Sequence, residues 1–415
     1  MHEPLKRQYP SLEAASKPLV NPVSDATREA VRRYRLGRIR AQLAANDCAG
    51  MLLFDPVNIR YATDTSNMQV WTLHNAARYA MVLLDGPVIV FEFHGSMHLP
   101  LLSSIVDEVR PATLWFYFGA GSLAMVNAKK WADEVADLIR EYGGGNRRLA
   151  IDKCDPLGAD ALRENGLTLV EGQRLCETAR LIKSDEELTM LRWTMAVCES
   201  GMWRMAEACR AGMTEQQVWA ELHHENIVNG GEWIETRLLT SGPRTNPWFQ
   251  ECNDRILQPG DILAFDTDLI GPYGYCSDIS RTWIVDHGEP TETQAELHRV
   301  ATEQIEHNRD ILKPGMSYVE FNAKSWRIPE RYHANRYSCA LHGVGLCDEF
   351  PAVSTHPDFD DAYEGGFEEN MVVTVESYIG EEGGAEGVKL EMQLLVTADG
   401  TEAMDTFPLG LNPYA

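Results

Sequence analysis

Between Ile262 and Trp283 three aspartates interrupt two runs of strand-forming residues, which narrows what this chain can fold into. The stretch reads Gly260-Asp-Ile-Leu-Ala-Phe-Asp266-Thr-Asp268-Leu-Ile-Gly-Pro-Tyr-Gly-Tyr-Cys-Ser-Asp278-Ile-Ser-Arg-Thr-Trp283. Strand residues two apart face the same side, so Asp266 and Asp268 are expected to share one face. Pro272, Tyr273 and Gly274 supply turn chemistry between Asp268 and Asp278, which returns Asp278 opposite Asp268 on the paired strand. Three carboxylates then converge inside an apolar sheet. Buried like charges repel strongly unless something positive stands between them. A pair of divalent metal ions is the natural counter-charge.

Further donors lie downstream. His342 sits among glycines after the apolar run Tyr337–Leu341, Val372-Val-Thr-Val-Glu376 ends on a carboxylate, and so does Gly387-Val-Lys-Leu-Glu391. Each has a bland reading alone: the aspartates as a satisfied turn, His342 as structural, Glu376 as an edge-strand solubility charge. Five such residues in order, each closing an apolar strand, point instead to one hard-oxygen site with a single imidazole. Such a set suits two metal ions bridged by carboxylates.

The chain has 415 residues, enough for two or three domains of roughly 150 residues each. Its formal net charge of −25 argues against nucleic acid and against anionic membrane surfaces as partners. No stretch approaches the roughly 18 apolar residues of a membrane span. Residues 1–25 hold Pro4, Pro10, Pro18 and Pro22 and no apolar run after Lys6 and Arg7, so an extended arm is expected and not a secretory signal. Nine cysteines without a CxxC pair suggest reduced thiols in a cytoplasm. A helix is expected over 26–45, strands over 50–54, 79–84, 87–91 and 148–152, and a helix over 131–141, giving an α/β N-terminal domain, 26–175. Capping boxes at Ser184/Glu187 and Thr214/Gln217 open two helices, to about Cys209 and Asn229. Strands are expected over 238–241, 261–269, 279–285, 371–377 and 388–396, with a helix over 291–312. This part, 176–415, reads as α+β.

Four phrases carry a resemblance: Arg180-Leu-Ile-Lys-Ser-Asp-Glu-Glu187, Gly212-Met-Thr-Glu215, Gly260-Asp-Ile-Leu263 and Ser277-Asp-Ile-Ser-Arg-Thr282. In this order they resemble the pita-bread proteins: methionine aminopeptidases, prolidases, aminopeptidase P and creatinase. The resemblance covers about Glu177 to Leu409, and more weakly Ala26 to Leu175. It implies an α+β pita-bread catalytic domain behind a smaller α/β creatinase-like domain. It also implies five metal ligands, Asp268, Asp278, His342, Glu376 and Glu391.

The departures from that pattern are specific. Where the peptidases carry a histidine after a Ser-Gly segment, this chain reads Ser241-Gly-Pro-Arg-Thr-Asn-Pro-Trp248. Where they carry a histidine just before a Glu-x-Pro triplet, this chain has Asp348-Glu-Phe-Pro351. The family spaces its two aspartates eleven apart; here Asp278 stands ten from Asp268 and twelve from Asp266. One branch resembles this pattern, keeping the metal ligands, adding an aspartate in the first strand and using an aspartate after the metal histidine: the metal-dependent dimethylsulfoniopropionate lyases of marine bacteria. That resemblance implies Asp266 as a sixth ligand, Asp348 as catalytic base, and a zwitterionic sulfonium substrate split by β-elimination into dimethyl sulfide and acrylate. It also implies a homodimer and two divalent ions, iron favoured, with Mn, Zn or Co admitted by the donor set. A sulfonium attracts aromatic faces, and Trp248 and Tyr337 are the candidates to bind it. The alternative is a proline-specific metallopeptidase of the Xaa-Pro dipeptidase or aminopeptidase P type.

Overall fold

The computed structural model describes residues 19–355 and 364–415. Most of the expected N-terminal arm, residues 1–18, lies outside the described residues. Two compact units are present, residues 24–180 and residues 181–415, the latter joined by 19–23.

The first unit opens with the helix Asp25–Ala45, capped by the Ser24 side chain, which accepts from the Thr27 N–H. Its strands are β1 (Gly50–Leu53), β2 (Tyr79–Leu83), β3 (Val88–Glu92), β4 (Glu108–Pro111), β5 (Arg148–Ile151) and β6 (Thr168–Glu171). They form one sheet in the order β4-β3-β2-β1-β5-β6. The Asp85-Gly86 turn joins β2 and β3 as an antiparallel pair. The pairs β3/β4, β1/β5 and β5/β6 are parallel, and parallel neighbours need crossover connections. The helix Pro156–Glu164 makes the β5/β6 crossover, and the helix Ala124–Tyr142 packs Trp131, Val135 and Ile139 into the core. It begins seven residues before the expected start at 131, because its first turns expose Met125 and Val126 and show no apolar period. Edge strands β4 and β6 are half-exposed and have no apolar run to announce them.

In the second unit both capping boxes form, opening the helices Asp185–Ala208 and Glu215–Val228. Each box satisfies two backbone N–H groups that the helix start leaves free. The strands are β7 (Trp233–Ile234), β8 (Leu239–Ser241), β9 (Ile262–Asp266), β10 (Leu269–Ile270), β11 (Cys276–Ser277), β12 (Ser280–Ile284), β13 (Cys339–Val344), β14 (Asp348–Ser354), β15 (Val372–Gly380), β16 (Gly387–Val396) and β17 (Thr401–Ala403). They make three sheets, β11-β10-β7, β12-β9-β8 and β14-β13-β15-β16-β17. The helix Glu292–Ile311 packs on β15 and β16. Its core includes Leu341, Val375, Tyr378 and Leu390, all fully buried. Each such side chain contributes about 1.5–3 kcal/mol through removal from water.

The aspartate hairpin has the expected register with an interruption. Ser280 pairs with Asp266, and beyond the break Ser277 pairs with Leu269. Asp268 and Asp278 thus stand opposite each other at the junction. They do not share a continuous strand with Asp266: β9 ends there, and Asp268 takes a left-handed φ of +36°. The expected alternation fails because Thr267 and Asp268 leave the ladder. Thr267 Oγ1 instead donates to the Ser277 carbonyl and accepts from the Ile279 N–H. Pro272–Gly274 forms the turn.

Side chains fasten this hairpin to β16. Thr282 Oγ1 donates to the Lys389 carbonyl at 2.8 Å and accepts from its N–H at 3.1 Å. The Asp278 N–H donates to Gln393 Oε1 at 3.0 Å. The buried Arg281 donates to the carbonyls of Ser280, Glu391, Phe407 and Pro408 and pairs with Asp405.

Candidate metal centre

Glu376 on β15 and Glu391 on β16 are direct cross-strand partners. Like charges so placed destabilise a sheet unless a cation lies between them. His342, on β13, pairs with Thr374 of β15. Its Nε2 lies 3.3 Å from Glu376 Oε1, 3.4 Å from Asp278 Oδ2 and 3.7 Å from Glu391 Oε1. Its Nδ1 lies 3.0 Å from the Gly343 carbonyl. A backbone carbonyl at one ring nitrogen is the usual means of aiming the other at a metal.

Three overlapping groups place one donor atom each within 4.8 Å of the others: Asp278, His342 and Asp348; His342, Glu376 and Glu391; Asp266, Asp278 and Glu391. Asp268, expected as a ligand, is in none of these groups. Its Oδ2 accepts from Thr236 Oγ1 at 2.6 Å, yet its charge is felt by Asp278. Asp348 sits at the rim, half-exposed, with Oδ1 4.0 Å from His342 Nδ1.

The electrostatics favour a cation. Burial, reinforced by Glu391, raises Asp266 to about 6. Burial followed by Asp266 lifts Asp268 well above the carboxylate range. Burial followed by Glu391 and Asp268 does the same to Asp278. For His342 burial opposes the charge, but Glu376 and Asp348 outweigh it and hold the imidazole well above its ordinary value. Among the described residues, Asp278 Oδ1 is buried with no hydrogen-bond partner, a costly arrangement that a metal ion relieves. Hard carboxylate oxygens, one imidazole nitrogen and an orphaned buried oxygen fit a divalent cation.

Lys389 was not anticipated from the sequence. Its ammonium is fully buried, 2.5 Å from Glu376 Oε2, 3.1 Å from Asp266 Oδ2 and 3.2 Å from Glu391 Oε2. The available signal was its spacing: two residues before Glu391 on β16, it must share that face.

The aromatics approach the centre from the side of Lys389. Tyr337 centres its ring 4.9 Å from the ammonium and Trp248 at 5.9 Å. Trp248 is buried, and its Nε1 has no partner among the described residues. Tyr337 stacks on Phe249, centroids 5.2 Å apart. Phe249 is 62% exposed and has φ +67°. A large side chain in left-handed backbone is strained, and such strain collects at functional sites. Upstream, the buried Glu215 holds the Trp248 loop, accepting from Ser241 N–H and Oγ and from Asn253 N–H.

The sequence pattern of metallopeptidase family M24 matches residues 189–398, a span that includes every donor above. The chain belongs to family M24. Within that family, the dimethylsulfoniopropionate lyase DddP of Roseovarius nubinhibens is 43% identical over 385 residues, covering 91% of this chain and 86% of that one. The dimethylsulfoniopropionate lyase DddP of Roseobacter denitrificans is 41% identical, again over 91% of this chain and 86% of that one. Among solved M24-like folds, the Xaa-Pro dipeptidase of Bacillus anthracis superposes with a TM-score of 0.73 at 22% identity, covering 92% of this chain and 99% of that one. The expected α+β pita-bread architecture is therefore the one observed.

Proposed function

We propose that this M24 chain is a metal-dependent dimethylsulfoniopropionate lyase. The two DddP lyases aligned over most of their length support the reading. The observation that carries it is Asp348, a half-exposed carboxylate at the rim of the buried donor set, where the peptidase pattern has a histidine.

Asp266, Asp268, Asp278, His342, Glu376 and Glu391 would hold two divalent ions, with iron favoured. When bound, they supply Lewis-acid charge toward the substrate carboxylate. Asp348 takes a proton from the carbon beside that carboxylate. The electron pair of that C–H bond becomes the second bond of the C=C. The β C–S bond breaks, and its pair leaves on sulfur as dimethyl sulfide, with acrylate as the other product. Asp348 then returns its proton to solvent through its exposed side. The elimination has no attacking water, so Trp248 and Asp348 can stand where the peptidases carry histidines. Trp248 and Tyr337 present aromatic faces for the sulfonium, worth about 0.5–2 kcal/mol per ring. The same reading makes the enzyme a cytoplasmic homodimer with an arm over 1–25, an N-terminal domain over 26–175 and a catalytic domain over 176–415.

The test is direct. Purified protein loaded with Fe(II) and given dimethylsulfoniopropionate should release dimethyl sulfide, measured by gas chromatography, and leave Xaa-Pro dipeptides intact. Dipeptide cleavage without gas release would instead establish the metallopeptidase alternative.

A further inference from the structure

Lys389 stands inside the donor set, and the elimination does not use it. On β16 it shares a face with Glu391 and Gln393. Its ammonium divides the oxygens of both glutamates. Glu376 gives Oε2 to Lys389 and turns Oε1 to His342 Nε2. Glu391 gives Oε2 to Lys389 and turns Oε1 toward His342 and Thr374 Oγ1. Asp266 is held likewise, Oδ2 by Lys389 and Oδ1 by Ser280 Oγ. Lys389 also donates to Ser280 Oγ at 2.7 Å. The rings of Tyr337 and Trp248 cover it further out.

We propose that Lys389 is a resident cation of the centre, a positioning residue that keeps Asp266, Glu376 and Glu391 assembled before metal arrives and turns the second oxygen of each glutamate toward His342. The proposal rests on the metal-dependent reading above. Its physical ground is charge. Glu376 and Glu391 face each other directly and Asp266 lies beside them, so a metal-free centre without a cation would hold three converging buried charges. Loss of one partner of a buried ionic network is strongly destabilising. Once metal is bound, that repulsion is neutralised from the other side and Lys389 matters less. A group that merely fills space would contribute equally to both states.

The experiment compares the melting temperature of chelator-stripped and Mn(II)- or Fe(II)-saturated full-length protein for wild type, Lys389→Met and Lys389→Arg. In Lys389→Met the stripped form should melt about 10 °C lower than stripped wild type. Its metal-saturated form should fall by less than half as much, so the metal-induced gain widens. Lys389→Arg, which keeps the charge, should restore the wild-type gain. If Lys389→Met is insoluble when stripped but recovers on refolding with metal, the proposal also stands. Equal falls in both forms, insolubility with and without metal, or failure of Lys389→Arg to restore the gain would overturn it while leaving the metal-dependent reading intact. A wild type with no metal-induced gain would remove that reading itself.

Discussion

Replacing Arg281 by Met keeps most of the side-chain volume and removes every donor. The guanidinium is fully buried and donates to the carbonyls of Glu391 at 2.7 Å, Phe407 at 2.8 Å, and Ser280 and Pro408 at 3.0 Å, besides pairing with Asp405. Breaking a buried ion pair from one side costs about 3–5 kcal/mol. Each stranded carbonyl adds about 1–3 kcal/mol. These penalties share one cavity and do not add in full, so the ion pair plus a single carbonyl at the low end of its range, about 4–6 kcal/mol, is the working figure. For a folding unit of this size that corresponds to roughly 10–20 °C in melting temperature. The assay is thermal denaturation of metal-saturated protein followed by circular dichroism. Arg281→Met/Asp405→Asn should melt several degrees above Arg281→Met, because it no longer buries an unpaired charge. Arg281 also holds the backbone of Glu391, a proposed metal ligand, so metal per chain should fall with stability. A loss under 4 °C, or a double variant no better than the single, would refute the reasoning.

Three further outcomes follow from the site. Asp348→Ala should cut dimethyl sulfide release by about 10²–10⁴-fold while metal per chain stays constant; activity within tenfold of wild type rules Asp348 out as the base. Metal-free protein should respond to pH through Asp266, whose folded-state value is raised from 3.8 to about 6. For a raised carboxyl the stability is complete below about pH 4 and lost as pH climbs through about 6. Moving stripped protein from about pH 8 to about pH 5.5 should therefore return about 1 kcal/mol, read as a rise of a few degrees that shrinks in Asp266→Asn. Tyr337→Leu should raise KM for the sulfonium about 2–30-fold with kcat within twofold; an unchanged KM removes Tyr337 from the pocket.

Much of the centre was legible because its donors sit where apolar strands end on a charge. Asp266, Glu376 and Glu391 stood out against Ile262–Phe265, Val372–Val375 and Gly387–Leu390, and the structure gathers all three around His342 and Lys389. Lys389 is masked in the sequence because a lysine inside an apolar strand looks like an outward alternation. Only the meeting of β9, β15 and β16, a tertiary fact, makes it a buried cation. The sequence predicts Asp268 as a continuation of the strand, since no local residue signals that Thr267 will trade its ladder bonds for Ser277 and Ile279. The two-residue strands β7, β10 and β11 are too short for any periodicity. Arg281 was visible as part of a phrase, Ser277-Asp-Ile-Ser-Arg-Thr282, but its work depends on carbonyls more than a hundred residues away.

That wide spacing has a consequence for how the centre comes into being. Its donors are spread over four separate strands and the hairpin junction between Asp266 and Glu391. During synthesis, roughly 6–25 s separate the emergence of the first donor from that of the last, at about 5–20 residues per second. In that interval no nascent fragment holds Glu391 or Lys389, and Asp266 has neither its ammonium partner nor the opposing glutamate. Metal capture is thereby deferred to a nearly finished polypeptide, and a truncated product released from the ribosome before β16 carries no working centre.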